Sequence, residues 1–243
     1  HAVHSRFTPP THVLDRETYL ADMPVEALAR TLFLESQTRL AATHTLTLHS
    51  WFHDGFCSRA KTEEAVRRWP ARMLGYVGVD PTQPLSRVLD DLESQLASAP
   101  GAIGLKLYPH QVEPFRAWQF GDDPVLRLLE RARALGVRTV AVHKALPNGS
   151  VPLAPYRVDD VEQAADAFPD LAFEIVHAGM AFVEETAFAI ARFPNVYANL
   201  ETTTALLWAA PGRFEEMLAE FMFWGGPEKI VWSTGCTVTH PQP

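Results

Sequence analysis

Seven short runs of apolar and β-branched residues recur along the chain, with amphipathic stretches between them. The runs are residues 43–49 (THTLTLH), 73–80 (MLGYVGVD), 102–107 (AIGLKL), 138–143 (RTVAVH), 171–177 (LAFEIVH), 195–201 (NVYANLE) and 229–234 (KIVWST). Such near-continuous apolar character predicts strands buried on both faces. Helices are expected over 24–40, 61–69, 85–96, 124–135, 158–168, 181–193 and 212–224. In the third of these, Leu85, Val88, Leu89, Leu92 and Leu96 repeat with the helical period. The fourth opens on a proline after Asp122 and Asp123 and stops before Gly136, a good start and a good end.

One strand plus one helix takes about 30 residues, and that spacing holds throughout, so the pattern is a train of βα units. Strict alternation implies parallel strands with helices outside. An open doubly wound sheet and a closed barrel both satisfy this pattern. No Gly-rich nucleotide fingerprint follows any strand, which favours the barrel. The expected fold is therefore α/β, a (β/α)8 TIM-type barrel, as a single domain over residues 1–243 with no linker. Only seven strands are visible, and too few residues follow Thr234 for another helix. The barrel is expected to lack its first strand and last helix, with the chain clipped at both ends.

Composition narrows the partners. No apolar run reaches the roughly 20 residues of a membrane helix, and the first ten residues have no signal-peptide pattern. Basic residues number 21 against 29 acidic ones, a net charge of −8, which argues against nucleic acid as a partner. Two cysteines, Cys57 and Cys236, make no disulfide framework and suit a reducing cytoplasm. A small-molecule substrate is the expected partner, and the apolar surface common to such barrels leaves a homodimer open.

Chemistry in βα barrels sits at the C-terminal ends of the strands. Here that rim carries His49, Asp80, Lys106, His143, His177, Glu201 and the Thr234–Gly235–Cys236 turn. His143 and His177 end consecutive strands. Parallel neighbours lie about 4.8 Å apart, so two imidazoles there can converge on one ion at about 2.1 Å; two unrelated histidines capped by loop carbonyls are the alternative. Lys106, inside an apolar strand, needs a partner: a substrate carboxylate, a metal-bridging carbamate, or Asp80 or Glu201 across the rim. Lys144 is expected to point to solvent. Glu174 is expected in a buried ion pair, and strand alternation sets it on the face opposite His177 unless the strand bends. Cys236 and His240 are expected to be bland loop residues, with metal ligation the alternative. His44, His49 and His53 are expected to be surface or rim residues, and His1 and His4 carry little weight alone.

The segments GAIGLKLYPHQ, VAVHKALPNG, FEIVHAGMAFVEETAFAIARFPNVYANLE and KIVWSTGC resemble the amidohydrolase superfamily. The likeness covers about residues 70–243 and is nearest to the amidohydrolase-2 branch, similar to aminocarboxymuconate-semialdehyde decarboxylase and related metal-dependent hydrolases. The two histidine blocks are its most specific parts. The resemblance implies a barrel with a divalent metal, usually zinc, at its mouth. His143 then matches the fifth-strand metal ligand, and His177 the sixth-strand histidine that binds metal or acts on substrate and water. Lys106 falls where some members place a bridging lysine. Two departures stand out. The first-strand His-x-His pair is absent, although His1 could be its second member. The eighth-strand aspartate is also absent, since Thr234-Gly235 stands where Ser/Thr-Asp is expected; Asp80, Glu201, Cys236 or His240 would have to substitute.

The expected function is a metal-dependent hydrolase of a small carboxylate-bearing substrate, working through metal-activated water. Metal ligands would be His143, His177 and His1; His177 and Glu201 would be catalytic; Lys106 and Arg157 would hold substrate. A non-oxidative decarboxylase of an unsaturated or aromatic acid is the alternative, and a barrel that only binds ligand is a further one.

Overall fold

In a computed structural model, all residues are described except Pro9, Trp51, Asn148, Gly179, Thr237, Val238, Gln242 and Pro243, together with the side chains of Ala2, Val3 and Phe7. Seven parallel strands form one curled sheet: β1 (Ala41–His44), β2 (Met73–Gly78), β3 (Ala102–Leu107), β6 (Thr139–His143), β7 (Ala172–Val176), β8 (Val196–Asn199) and β9 (Ile230–Val231), in that order. Between β3 and β6 an antiparallel hairpin, β4 (His110–Val112) and β5 (Phe115–Ala117), stands above the sheet's C-terminal rim. Three short helices come first: α1 (Ala2–Phe7), α2 (Arg16–Leu20) and α3 (Val25–Phe33). The crossovers are made by α4 (Arg59–Arg68), α5 (Leu85–Ser98), α6 (Asp123–Ala134), α7 (Val161–Ala167), α8 (Val183–Arg192), α9 (Leu206–Ala209) and α10 (Pro211–Trp224). Among the described residues no ladder joins β9 to β1 and no helix follows β9. The chain is thus a curled half-barrel of seven strands, as expected for a barrel short of its first strand.

The alternation of the strands sorts their side chains. Leu105, Leu107, Val140, Val142, Phe173, Ile175, Val196 and Ala198 face outward into the main core with the helices. α5 contributes Val88 and Leu92 to that core, one helical turn apart. The inner face is different. Ladder partners Lys106, Ala141 and Glu174 lie side by side on successive strands, and Tyr76, Ala141 and Val176 make a small separate apolar cluster. A polar inner face between apolar outer ones is what aims chemistry at the mouth.

Three expectations change. The helix expected over 24–40 stops at Phe33; the Ser36 hydroxyl then bonds both the carbonyl of Leu32 and the Thr38 hydroxyl, which turns the chain toward β1. The first strand ends at His44 rather than 49. Gly55, with φ +87°, folds the following loop back so that Leu46 bridges Cys57. His49 is therefore exposed and His44 takes the strand end. Lys144 does not point to solvent: it is 1% exposed and paired with Asp160.

Candidate active site

His143 is the last residue of β6, and His177 directly follows β7. Strand alternation alone would turn His177 toward the helices, because Glu174, three residues earlier, faces inward. The backbone resolves the conflict: His177 has φ +62°, a left-handed conformation that swings its ring back over the mouth. Among the described residues, Ala145 (φ +64°) and Thr202 (φ +59°) are the other non-glycine residues in that region, and both follow strand ends of the same rim. Such backbone conformations cost about 1–3 kcal/mol each and cluster where side chains must be aimed.

The two imidazoles meet edge to face, with centroids 4.4 Å apart at 74°. His177 Nε2 lies 2.8 Å from His143 Nδ1. His177 Nδ1 bonds the carbonyl of Glu201 at 2.9 Å, and His143 Nε2 bonds the carbonyl of Leu146 at 2.8 Å. A carbonyl only accepts, so each of these outer nitrogens carries its ring's hydrogen. In the neutral rings, the two inner nitrogens therefore face each other as lone pairs. Burial pushes the pKa of both well down or down, and the positive charge of Lys106 adds to it. A shared extra proton is thereby disfavoured, which leaves a donor pair suited to a cation. Two nitrogens held tetrahedrally by one ion at about 2.1 Å stand about 3.4 Å apart, so the observed 2.8 Å is a hydrogen-bond spacing that would have to open to admit a cation. Anchoring of the far nitrogen by a carbonyl is also how metal-binding histidines are oriented. Of the two sequence readings of the pair, the carbonyl caps are directly seen: Leu146 and Glu201 each hold the outer nitrogen of one ring.

The walls are aromatic and polar. Tyr108 stacks on His143 at 4.8 Å, and Tyr156 meets it edge-on at 5.8 Å. Tyr156 OH bonds His110 Nδ1 at 3.0 Å, which ties the hairpin to the rim. Lys106 is fully buried, with Nζ 3.8 Å from Glu201 Oε2, too long for a hydrogen bond. Neither atom has a hydrogen-bond partner among the described residues. Burial lowers the Lys106 pKa, with Glu201 and Glu174 opposing that shift. Burial raises the Glu201 carboxyl, but His177, Lys106 and His44 outweigh it and hold the group below its ordinary value.

Glu174 accepts from Tyr76 OH at 2.8 Å and from Asn199 Nδ2 at 2.6 Å; these two neutral donors, rather than a basic partner, are its hydrogen-bond neighbours. His44, expected only as a surface or rim histidine, sits beside Tyr76 on the ladder, rings 4.5 Å apart, and close enough to Lys106, Glu201 and His177 to feel their charges. Its signal was phase: it alternates with the outward Thr43 and Thr45.

Other residues lie elsewhere. His1 Nε2 bonds the carbonyl of Leu14, and its ring packs on His4 and Tyr19. Arg157 is half-exposed and bonds Glu185, with Asp159 nearby. Asp80 caps its own turn through Thr82 and Gln83. Cys236 and His240 line a separate cavity of about 570 Å³ with residues of the N-terminal segment such as His4, His12 and Tyr19. Among the described residues, no three His, Cys, Asp or Glu side chains converge as a metal site. The chain supplies two nitrogen donors, with Glu201 next to them.

Solved structures share this architecture at low identity. A TIM-barrel protein from Bordetella bronchiseptica superposes with a TM-score of 0.69 at 15% identity, covering 99% of this chain and 80% of that one. An amidohydrolase from Burkholderia multivorans with bound zinc gives 0.61 at 13% identity, covering 94% and 79%. A dihydroxybenzoic acid decarboxylase from a Polaromonas species, with bound manganese and the inhibitor 2-nitroresorcinol, gives 0.58 at 13% identity, covering 97% and 83%. No curated protein matches the sequence. The amidohydrolase-2 family model matches residues 3–243, nearly the whole chain. The chain belongs to the amidohydrolase family of enzymes.

Proposed function

We propose that the chain is a metal-dependent hydrolase of a small, carboxylate-bearing substrate, with His143 and His177 donating to one divalent cation. The observation that carries this reading is the pair of inner imidazole nitrogens, 2.8 Å apart, whose outer nitrogens are already committed to carbonyls. Zinc suits nitrogen donors, and the bound zinc and manganese of the two neighbours favour a divalent ion. When bound, such an ion acts as a Lewis acid on an oxygen of the substrate and makes nearby water more acidic.

The chain's own residues supply the rest. Lys106 Nζ is buried with no hydrogen-bond partner among the described residues, and a substrate carboxylate would satisfy it. Glu201, ionised and beside His177, takes the proton from the attacking water. Tyr108 and Tyr156 wall the site and keep bulk water from the imidazoles. His1 and Arg157 are left out of this proposal, because Leu14, Glu185 and Asp159 already engage them.

A lyase reading is favoured by one feature, the glycine at 235 in place of a carboxylate. Loss of carbon dioxide needs no attacking water and so no second proton acceptor. Incubation of the chain with zinc or manganese and a panel of aryl and pyrone carboxylates in labelled water separates the two. Hydrolysis places solvent oxygen in a new carboxyl group; decarboxylation places solvent deuterium on carbon and releases carbon dioxide. Turnover that survives exhaustive chelation overturns both.

A further inference from the structure

A line of hydrogen bonds runs from the barrel interior up to the histidine pair. Tyr76 OH donates to Glu174 Oε1 at 2.8 Å, and Asn199 Nδ2 donates to Glu174 Oε2 at 2.6 Å. Asn199 Oδ1 accepts the backbone N–H of Glu201 at 2.9 Å. The carbonyl of Glu201 accepts Nδ1–H of His177 at 2.9 Å, and His177 Nε2 reaches His143. Tyr76, Glu174, Asn199 and His177 are all buried.

The polarity of the line has one solution. A backbone N–H only donates, so the Glu201 N–H requires the Asn199 oxygen and leaves the Asn199 amide to donate to Glu174. With its N–H held there, the backbone of Glu201 turns its own carbonyl to His177. That carbonyl requires hydrogen on Nδ1, so the lone pair at Nε2 is directed to His143. The left-handed backbone at His177 and Thr202 needs support of this kind to persist.

We propose that Glu174 and Asn199 are positioning residues: through the backbone of Glu201 they lock His177 in the Nδ1–H tautomer and fix where the Glu201 carboxylate stands. The effect on cation binding rests on the donor-pair reading above; the tautomer does not, because it is measured without metal.

The test uses the full chain, with imidazole nitrogen NMR on the metal-free protein and Mn2+ affinity from the signal of the free ion. Wild type is expected to show His177 protonated on Nδ1. Glu174→Gln keeps both links, one accepted from Asn199 and one donated to the Tyr76 oxygen, and is expected to keep that tautomer. Asn199→Leu cuts the line on both sides; both tautomers should appear, and Mn2+ affinity should fall about 10-fold, the lower end for outer partners of ligating histidines. A folded Asn199→Leu protein with pure Nδ1–H His177 and wild-type affinity overturns the proposal. If that variant does not fold, Tyr76→Phe decides: a smaller loss in the same direction supports the proposal, and no change in tautomer or affinity overturns it. A locked tautomer in a wild type that binds no Mn2+ sinks the metal reading and leaves the positioning role standing.

Discussion

Lys144 Nζ lies 2.7 Å from Asp160 Oδ1, and solvent reaches neither group appreciably. The same ammonium donates to the carbonyl of Pro155 at 2.9 Å, and the other Asp160 oxygen accepts the Phe120 N–H at 3.1 Å. Because Lys144 directly follows His143, the pair ties the end of β6 to the loop that roofs the site and to the start of α7. Burial works against both charges, lowering the lysine pKa and raising the aspartate, while their mutual attraction opposes it. Breaking such a pair on one side leaves a buried charge alone and costs about 3–5 kcal/mol, whereas replacing both sides is milder. Lys144→Met is therefore expected to lower the unfolding free energy by that amount, and Lys144→Met/Asp160→Leu by clearly less. Denaturant titration of the two variants checks the ordering; equal losses would contradict it.

A divalent cation held by His143 and His177 must stabilise the folded chain by mass action. At a hundredfold excess over the dissociation constant the gain is about 2.7 kcal/mol, or roughly 5–10 °C in Tm for a domain of this size. Thermal melts with and without Zn2+ or Mn2+ should show the shift in wild type and lose it in His143→Ala and in His177→Ala. A shift that persists in both variants places the cation elsewhere.

His44 carries a pH signature. Burial first, and then the charges of Lys106 and His177, hold its pKa at about 3 in the folded chain, against about 6.5 in the unfolded one. Between those values the unfolded state binds a proton that the folded state refuses. Stability is therefore unaffected by this group above about pH 6.5 and falls as pH drops below it, by about 1.4 kcal/mol per pH unit from His44 alone. His44→Phe should flatten the slope of unfolding free energy between pH 6 and 4 by close to one proton. An unchanged slope would show that the ring is not excluded from water.

Gly235 is constrained by its neighbours. It has φ +61°, and a Cβ there would stand 2.7 Å from Thr202 Oγ1 and 3.4 Å from Glu201 Oε1. Glu201 thus already holds the space that an aspartate at 235 would enter. Gly235→Asp is expected to destabilise by about 1–3 kcal/mol and to lower activity, since it would displace Glu201. Adding Thr202→Ala should recover part of the stability. Full activity in the single variant would argue that Glu201 is not the working carboxylate.

Much of the architecture was legible along the chain because it rests on local pattern. β3 matches its expected span, residues 102–107, since AIGLKL is short, apolar and bounded by glycine and proline. α6 and α10 begin and end within a residue of expectation because proline and glycine mark their ends. The hairpin at 110–117 escaped notice; its runs are three residues long, polar and interrupted by Pro114, too short for a period-two signal. The sequence predicts too long a helix before β1, because apolar spacing continues past Phe33 although side-chain bonds of Ser36 turn the backbone.

The order of βα units and the placing of His143 and His177 at adjacent strand ends were written in hydrophobic periodicity and spacing, which are properties of neighbouring residues, while the family rested on the likeness of the strand-end segments. Which way His177 points, that Lys106 answers to Glu201 and that His44 joins them were decided only in three dimensions. Those outcomes depend on a left-handed backbone angle and on close approach between strands far apart in the chain, and no local pattern records either.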